Sequence, residues 1–385
     1  MSGAGENALT LAARARRASG LGLADLTVSN PADVGLGWDR ARLAELLGSP
    51  GCERHEPDPL GRPEAREAVA AYLGERGARV PASRICLSAS TSEAYAWWFR
   101  LLAEPGDNVL APEPSYPLVA ELAEVARVEV RPYRCVRRGG AWRIDAGSLR
   151  PDARTRAVVA ISPANPTGHA LDRAELALLE AAAARAGDGC ALVIDEVFLD
   201  HQVGEARSAL ATLAGSPVPR VALSGLSKVA LAPQLKVGWS AIDGPEGWTA
   251  PMLGRLERLA DTFLSVNTPA QVALPGLLRE APALRARVAS RLAANRERLA
   301  RWCAGAGKGC DVASAEAGWS AVLALPPGVD ELGLCLRAVE EGALVHPGHY
   351  YELDGAGAWA VLSLIAEEAT LAEGLGALGR ALARS

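Results

Sequence analysis

A chain of 385 residues that is 49% hydrophobic and 22% charged has enough apolar sequence for one large domain and a smaller companion. A net charge of −5 leaves no electrostatic footprint for nucleic acid or another polyanion. No window reaches the roughly 18–20 uninterrupted apolar residues of a membrane span, and the first twenty residues lack the apolar run and cleavage pattern of a secretory signal. The seven cysteines are odd in number and form no CxxC pair, so they read as reduced thiols of a cytoplasmic protein.

In chain order, the pattern predicts short helices over 9–18 and 39–48 and another from Pro63 through REAVAAYLGERGA. Strands and helices then alternate. RICLSA is a strand, SEAYAWWFRLLAEPGD a helix closed by Pro-Gly, NVLAPEP a strand, SYPLVAELAEVA a helix and VEVRPY a strand. RAVVAISPANP is a strand ending in a turn, DRAELALLEAAAARAG a helix and ALVIDEVF a buried strand, with RVALSGLSK and LKVGWSAI two strands more. Near-continuous apolar strands alternating with helices predict an α/β fold: a three-layer α/β/α large domain with a mainly parallel sheet. After about residue 250 the pattern changes. Two long helical stretches, PMLGRLERLADTFL and PALRARVASRLAANRERLARWCAG, precede WSAVLALP, a helix at 330–341, ALVHPG, WAVLSLI and a final helix, which together suggest a smaller α+β unit.

Five places carry candidate chemistry. Asp195 in IDEVF follows the apolar run ALVI, so it sits at the C-terminal end of a buried parallel strand, where open α/β sheets bind ligands, and it needs a cationic partner. SASTSEA, with Ser90, Thr91 and Ser92, lies between a strand and a helix; it serves either as an anion cradle or as a plain N-cap. SPANPTG, around Asn165, marks a tight turn after a strand, and PEPSYP presents Tyr116 on a proline-rich loop. The fifth is SGLSKVALAPQLKVGW. Lysine and arginine total 40, of which only Lys228, Lys236 and Lys308 are lysine. A lysine amine can lose its proton and attack a carbonyl, whereas a guanidinium stays charged. A chain that otherwise writes arginine therefore points to amine chemistry at Lys228 or Lys236.

The ordered set SASTSEA, PEPSYP, SPANPTG, IDEVF and SGLSK resembles the class I/II aminotransferases, which are fold-type-I pyridoxal 5′-phosphate (PLP) enzymes. The resemblance covers nearly the whole chain. It implies an N-terminal arm and part of a small domain in 1–45, a large cofactor domain in 46–270 and the rest of the small domain in 271–385, so that the small domain draws on both chain ends. It also implies small-molecule substrates, no nucleic-acid or membrane partner, no metal, and a homodimer with shared active sites. Residue by residue, it implies that Lys228 forms the Schiff base and shuttles the proton, and that Asp195 pairs with the ring nitrogen. It implies that Asn165 donates to the phenolic oxygen, that Tyr116 stacks on the ring, and that Ser90, Thr91, Ser92 and Lys236 bind phosphate.

Several residues depart from the family pattern. Lys236 stands where an arginine is usual, Phe198 where a tyrosine is common, and His55 in RHEPDPLG where a tyrosine reaches the neighbouring subunit's phosphate. Gly225 stands where many relatives have serine, which Ser224 or Ser227 would replace. Val361 in WAVLSLI takes the place of the arginine that clamps a substrate carboxylate; either another arginine does that work, with Arg255 and Arg258 the candidates, or the substrate is not held as an ordinary α-amino acid. GAGKGC around Lys308 fails the spacing of a phosphate loop. HPGHYYE fails as a metal site because of its Pro-Gly turn, and leaves His349 and Tyr350 as substrate-contact candidates. The expectation is an aminotransferase acting on an amino acid or amine and an oxo acceptor. Elimination or replacement on the same scaffold, and a non-catalytic binding protein, are its rivals.

Overall fold

The computed structural model describes residues 7–307, 309–314, 317–353 and 357–384; Lys308 and its glycine-rich context lie partly outside them. An eight-stranded sheet dominates. Its spatial order is Ile85–Ser88, Gly238–Asp243, Arg220–Gly225, Ala191–Asp195, Thr155–Ile161, Asn108–Glu113, Glu129–Arg138 and Ala141–Ile144. The four central contacts, from Arg220–Gly225 to Glu129–Arg138, are parallel. Gly238–Asp243 and Ala141–Ile144 run against their neighbours. The sheet is thus mainly parallel, as the sequence predicts; Ala141–Ile144, too short to read as an element, was not expected.

Period-two alternation explains why both faces are covered. Leu192 and Ile194 belong to one core with Val69, Leu73, Leu274 and Leu277, while Val193 belongs to another with Trp98, Phe99 and Leu256. The helices Pro63–Glu75 and Thr268–Ala304 therefore pack on one face, and Thr91–Leu102 and Glu246–Phe263 on the other. Each such fully buried leucine or valine contributes about 1.5–3 kcal/mol.

A four-stranded antiparallel sheet, Asp311–Val312, Ser320–Ala324, Trp359–Ser363 and His346–Pro347, forms the smaller unit. Ala24–Asp25 pairs in parallel with Ala343–Leu344, and Ser363 N–H donates to Leu26 O at 2.6 Å. The early chain is thereby laid against the late chain, and residues 26–30 run on toward the larger sheet.

The two helical stretches read after residue 250 divide differently from the expectation. Residues 268–304 form one 37-residue helix with Pro275 and Pro282 inside it. Each proline removes one amide bond, yet packing holds the helix on both sides of them: Leu274 and Leu277 enter the large core, and Val288, Leu292 and Leu299 the small one.

One buried charge cluster ties these layers together. Asp200 accepts from Tyr72 Oη at 3.0 Å and pairs with Arg76 at 2.8 Å and Arg285 at 3.3 Å, all three ionic side chains being well buried. Asp200→Ala should leave two buried guanidiniums short of their anion and cost about 3–5 kcal/mol in urea unfolding. By contrast, Glu297→Ala, at an exposed i,i+4 pair with Arg301, should shift stability by less than about 0.5 kcal/mol.

Candidate active site

The parallel strands end on a cavity of about 730 Å³. From the sheet side it is lined by Asp195, Asn165, Lys228, Ser227, Lys236, Tyr116 and the Ser90–Ser92 turn; from the smaller unit by Trp319, Ser320, His346, Tyr351 and Val361–Ser363; and from the early chain by residues 26–30. Motifs separated by up to 146 positions, from Ser90 to Lys236, thus meet in one place.

Asp195 is the last residue of its strand. Val197 N–H donates to its Oδ1 at 2.9 Å, and among the described residues no cation pairs with it. Burial pushes its carboxyl up to about 6, against the pull of the Val197 amide and the neighbouring Tyr95 hydroxyl.

Lys228 lies in the four-residue helix Leu226–Val229, too short to satisfy its own last carbonyls. Three side chains from elsewhere do so. His201 Nε2 donates to Lys228 O at 2.9 Å, Arg285 to Val229 O at 2.8 Å and Trp38 Nε1 to Ala230 O at 2.6 Å. Because the carbonyl only accepts, His201 carries its proton on Nε2; burial holds its pKa down at about 4, so it is neutral. The Lys228 ammonium donates to Ser29 O at 3.3 Å and faces the Trp319 ring at 4.4 Å. Burial lowers its pKa to about 8.

The glycines beside it explain the missing serine. A Cβ on Gly225 would stand 2.8 Å from Val237 O, and one on Gly238 2.7 Å from the Ser90 carbonyl carbon. Close backbone approach at both positions draws the Lys236–Gly238 segment onto the start of helix Thr91–Leu102. Lys236 itself adopts a left-handed backbone, φ 54°, and its ammonium has no protein anion among the described residues. Ser90 caps this helix, accepting from Glu93 N–H at 3.1 Å, so its hydroxyl proton remains available to the cavity; the two readings of SASTSEA are compatible.

Other expected residues fall as follows. Asn165 Oδ1 accepts from Ser320 Oγ at 3.2 Å, which leaves the amide nitrogen free to donate. Tyr116 is 49% exposed at the cavity's edge. Ser224 is buried, with its hydroxyl on Glu196 O at 3.4 Å, and does not line the cavity; Ser227 does. His55 sits on an exposed loop beside a separate pocket with Trp97 and Leu264. Arg255 and Arg258 are exposed and away from the cavity. His349 pairs with Glu331 instead, and neither it nor Tyr350 lines the cavity, whereas His346 and Tyr351, bonded to each other at 3.0 Å, do. Phe198 lines it with its ring edge-on to Trp319 at 5.4 Å, and Val361 is 3% exposed among Trp142, Val322 and Leu353. Sequence reasoning missed Tyr95, Trp319, Ser320 and residues 26–30; the polar serine directly after Gly-Trp, at the start of an apolar strand, was the available signal for Ser320.

A sequence profile described as aminotransferase class I and II matches residues 38–373. The chain belongs to that family, whose cofactor is pyridoxal 5′-phosphate. It is 32% identical over 230 residues to nicotianamine aminotransferase 1 of Oryza sativa subsp. japonica, covering 58% of this chain and 46% of that one. It is 31% identical over 227 residues to tyrosine aminotransferase of Bos taurus, covering 58% and 50%. The matched stretch thus spans about half the length of these curated relatives. The structure of an alanine aminotransferase from Pyrococcus furiosus superposes with a TM-score of 0.89 at 21% identity, covering 98% of this chain and 96% of that chain; at that identity the likeness is one of fold.

The residues present fit this cofactor. Among the described residues, a carboxylate without a cation, an ammonium without an anion, a helix N-terminal turn and a lysine with a lowered pKa all line one cavity. The carboxylate matches a protonated ring nitrogen, the ammonium and the turn a phosphate, and the lysine an aldehyde. The lysine's state is directly measurable without cofactor. Reductive trapping of a small aldehyde at Lys228, mapped by peptide, should rise with pH through a midpoint of about 8. An ordinary lysine titrates at about 10.4, and a midpoint there would contradict the burial of Lys228.

Proposed function

We propose that this chain is a PLP-dependent aminotransferase that takes an amino group from an amino acid or amine and delivers it to an oxo acceptor. The observation that carries the reading is the presence, within one cavity, of a buried carboxylate with no cation on it among the described residues and a buried lysine whose pKa is lowered to about 8. PLP supplies an electron sink for the charge left on the donor carbon when its proton departs.

The chain's own residues do the rest. Asp195 would hold the ring nitrogen protonated, and the bound cation would in turn relieve the cost of burying Asp195. Asn165, steadied by Ser320, would donate to the phenolic oxygen. Phe198 offers no second donor there. Ser90, Thr91, Ser92 and the first amides of their helix would bind the phosphate, with Lys236 as a point charge rather than a fork. Ser227 lies beside them, and Tyr116 would flank the ring. Lys228 Nζ would hold the cofactor covalently, then, once freed, take the proton from the donor carbon and return it. The Ser29 carbonyl and the clasped backbone of residues 228–230 keep that nitrogen in place.

The same reading takes 46–270 as the cofactor domain, 1–45 with 271–385 as the smaller domain, a homodimer as the working unit and the cytoplasm as its location. In such a dimer the exposed His55 would reach the phosphate of the neighbouring subunit. Ser224, whose hydroxyl donates to the Glu196 carbonyl, would support the backbone before Lys228, and Ser227 is the serine that would face the cofactor.

Protein loaded with PLP should lose its visible cofactor band when given an effective amino donor, release the matching oxo product, and regain the band with an oxo acceptor. Lys228→Ala should abolish covalent retention and reduce turnover by several orders of magnitude. A protein that takes up no PLP, or one that releases ammonia from the donor, would overturn the transfer reading.

A further inference from the structure

A proton is exchanged at Lys228 Nζ, so the donor's reacting carbon must come to that atom. What surrounds it is therefore what the substituents on that carbon meet. The Trp319 ring centroid is 4.4 Å away, the Phe198 ring centroid 5.6 Å and the Ser29 carbonyl oxygen 3.3 Å. Aromatic faces and a carbonyl oxygen all present negative potential. They attract an ammonium and repel a carboxylate.

Among the described residues of this chain, only Lys228 and Lys236 bring a side-chain ammonium to the cavity. The described residues include every arginine of the chain, and none lines the cavity. Lys236 lies two residues before Gly238, whose backbone packs on Ser90 and Thr91, and is engaged with the phosphate under the reading above. His346 shares a hydrogen bond with the Tyr351 hydroxyl, and burial lowers its affinity for a proton, which works against its charged form. Behind them Val361 closes the wall within an apolar cluster. A carboxylate entering here would lose water and gain only neutral donors, such as the Asn165 amide.

We propose, resting on the aminotransferase reading, that the amino donor is a primary amine bearing no carboxylate on the carbon that carries the nitrogen, and that Trp319 sets this preference. The ammonium of such a donor is drawn in by the Ser29 carbonyl and the Trp319 face. Its remaining substituent meets Phe198, Trp319 and Val361, which suit an apolar or aromatic group.

Two measurements on the PLP-loaded full chain test this. By calorimetry, 3-phenylpropanamide should bind at least as tightly as 3-phenylpropanoate. By loss of the cofactor band, 2-phenylethylamine should react with a kcat/KM at least about tenfold above that of phenylalanine. Trp319→Leu should shrink that ratio severalfold, mainly through a higher KM for the amine. Tighter binding of the acid by about tenfold, or preferential reaction of phenylalanine with release of its oxo acid, would overturn the inference while leaving the transfer reading intact. Failure of both neutral and acidic ligands to bind would overturn it as well. If the amide binds preferentially but neither donor alters the band, the rejection of carboxylates stands and the transfer reading falls. The binding comparison uses the unaltered protein, so it decides the matter even if Trp319→Leu does not fold.

Discussion

A carboxylate fixed at the end of a buried strand, with no cation beside it among the described residues, is the constraint around which this molecule is arranged. Asp195 cannot retreat from it: the strand that carries it is hydrogen-bonded on both sides, to Thr155–Ile161 and to Arg220–Gly225. Protein burial raises its proton affinity, and the Val197 amide only partly counters that. Such an arrangement costs several kcal/mol unless a positive ligand completes it. The protein without ligand therefore holds an unfavourable charge in reserve, and a cationic ring nitrogen converts that cost into affinity.

The same logic runs in the opposite sense at Lys228. Burial there works against the ammonium, and the neighbours that could restore it supply only a carbonyl oxygen and ring faces. The amine is poised to lose its proton close to neutral pH. Poise is useful only if the nitrogen stays put, and a four-residue helix could not hold it alone. His201, Arg285 and Trp38 come from three different parts of the chain to bind its last carbonyls. Arg285 also belongs to the Asp200 cluster, so the charge network that joins the layers is the one that anchors the lysine's backbone.

How much of this was legible in the sequence follows from the range of the interactions. Strand ends are local: ALVI before Asp195 announces both a buried strand and the position of the carboxylate. Composition is global but simple, and it singled out Lys228 and Lys236 against a background of arginine. Both lysines line the cavity. What could not be read depends on close approach between distant segments. Gly225 looked like a lost serine until the position of Val237 O showed that no side chain fits. Residues 26–30 reach the cavity beside Lys228 where Ala24–Asp25 pairs with Ala343–Leu344, and Trp319 reaches it from the start of a strand in the separate antiparallel sheet. The helix through Pro275 and Pro282 was misdivided for a related reason: its continuity comes from two cores at once, and local propensity argues against it.

The cavity is consequently built from two kinds of wall. Groups suited to hold a cofactor, Asp195, Lys228, Lys236 and the Ser90–Ser92 turn, come from one sheet whose strand ends are fixed by a continuous ladder. Groups suited to meet a substrate, Trp319, Ser320, His346 and Val361, come from the separate antiparallel sheet, joined to the first by packing and by the long helix. The second wall still touches the first at two points, Trp319 over Lys228 and Ser320 on Asn165, whereas Val361 packs within its own sheet's apolar cluster. An apolar side chain there, at home among Trp142, Val322 and Leu353, stabilises its own sheet.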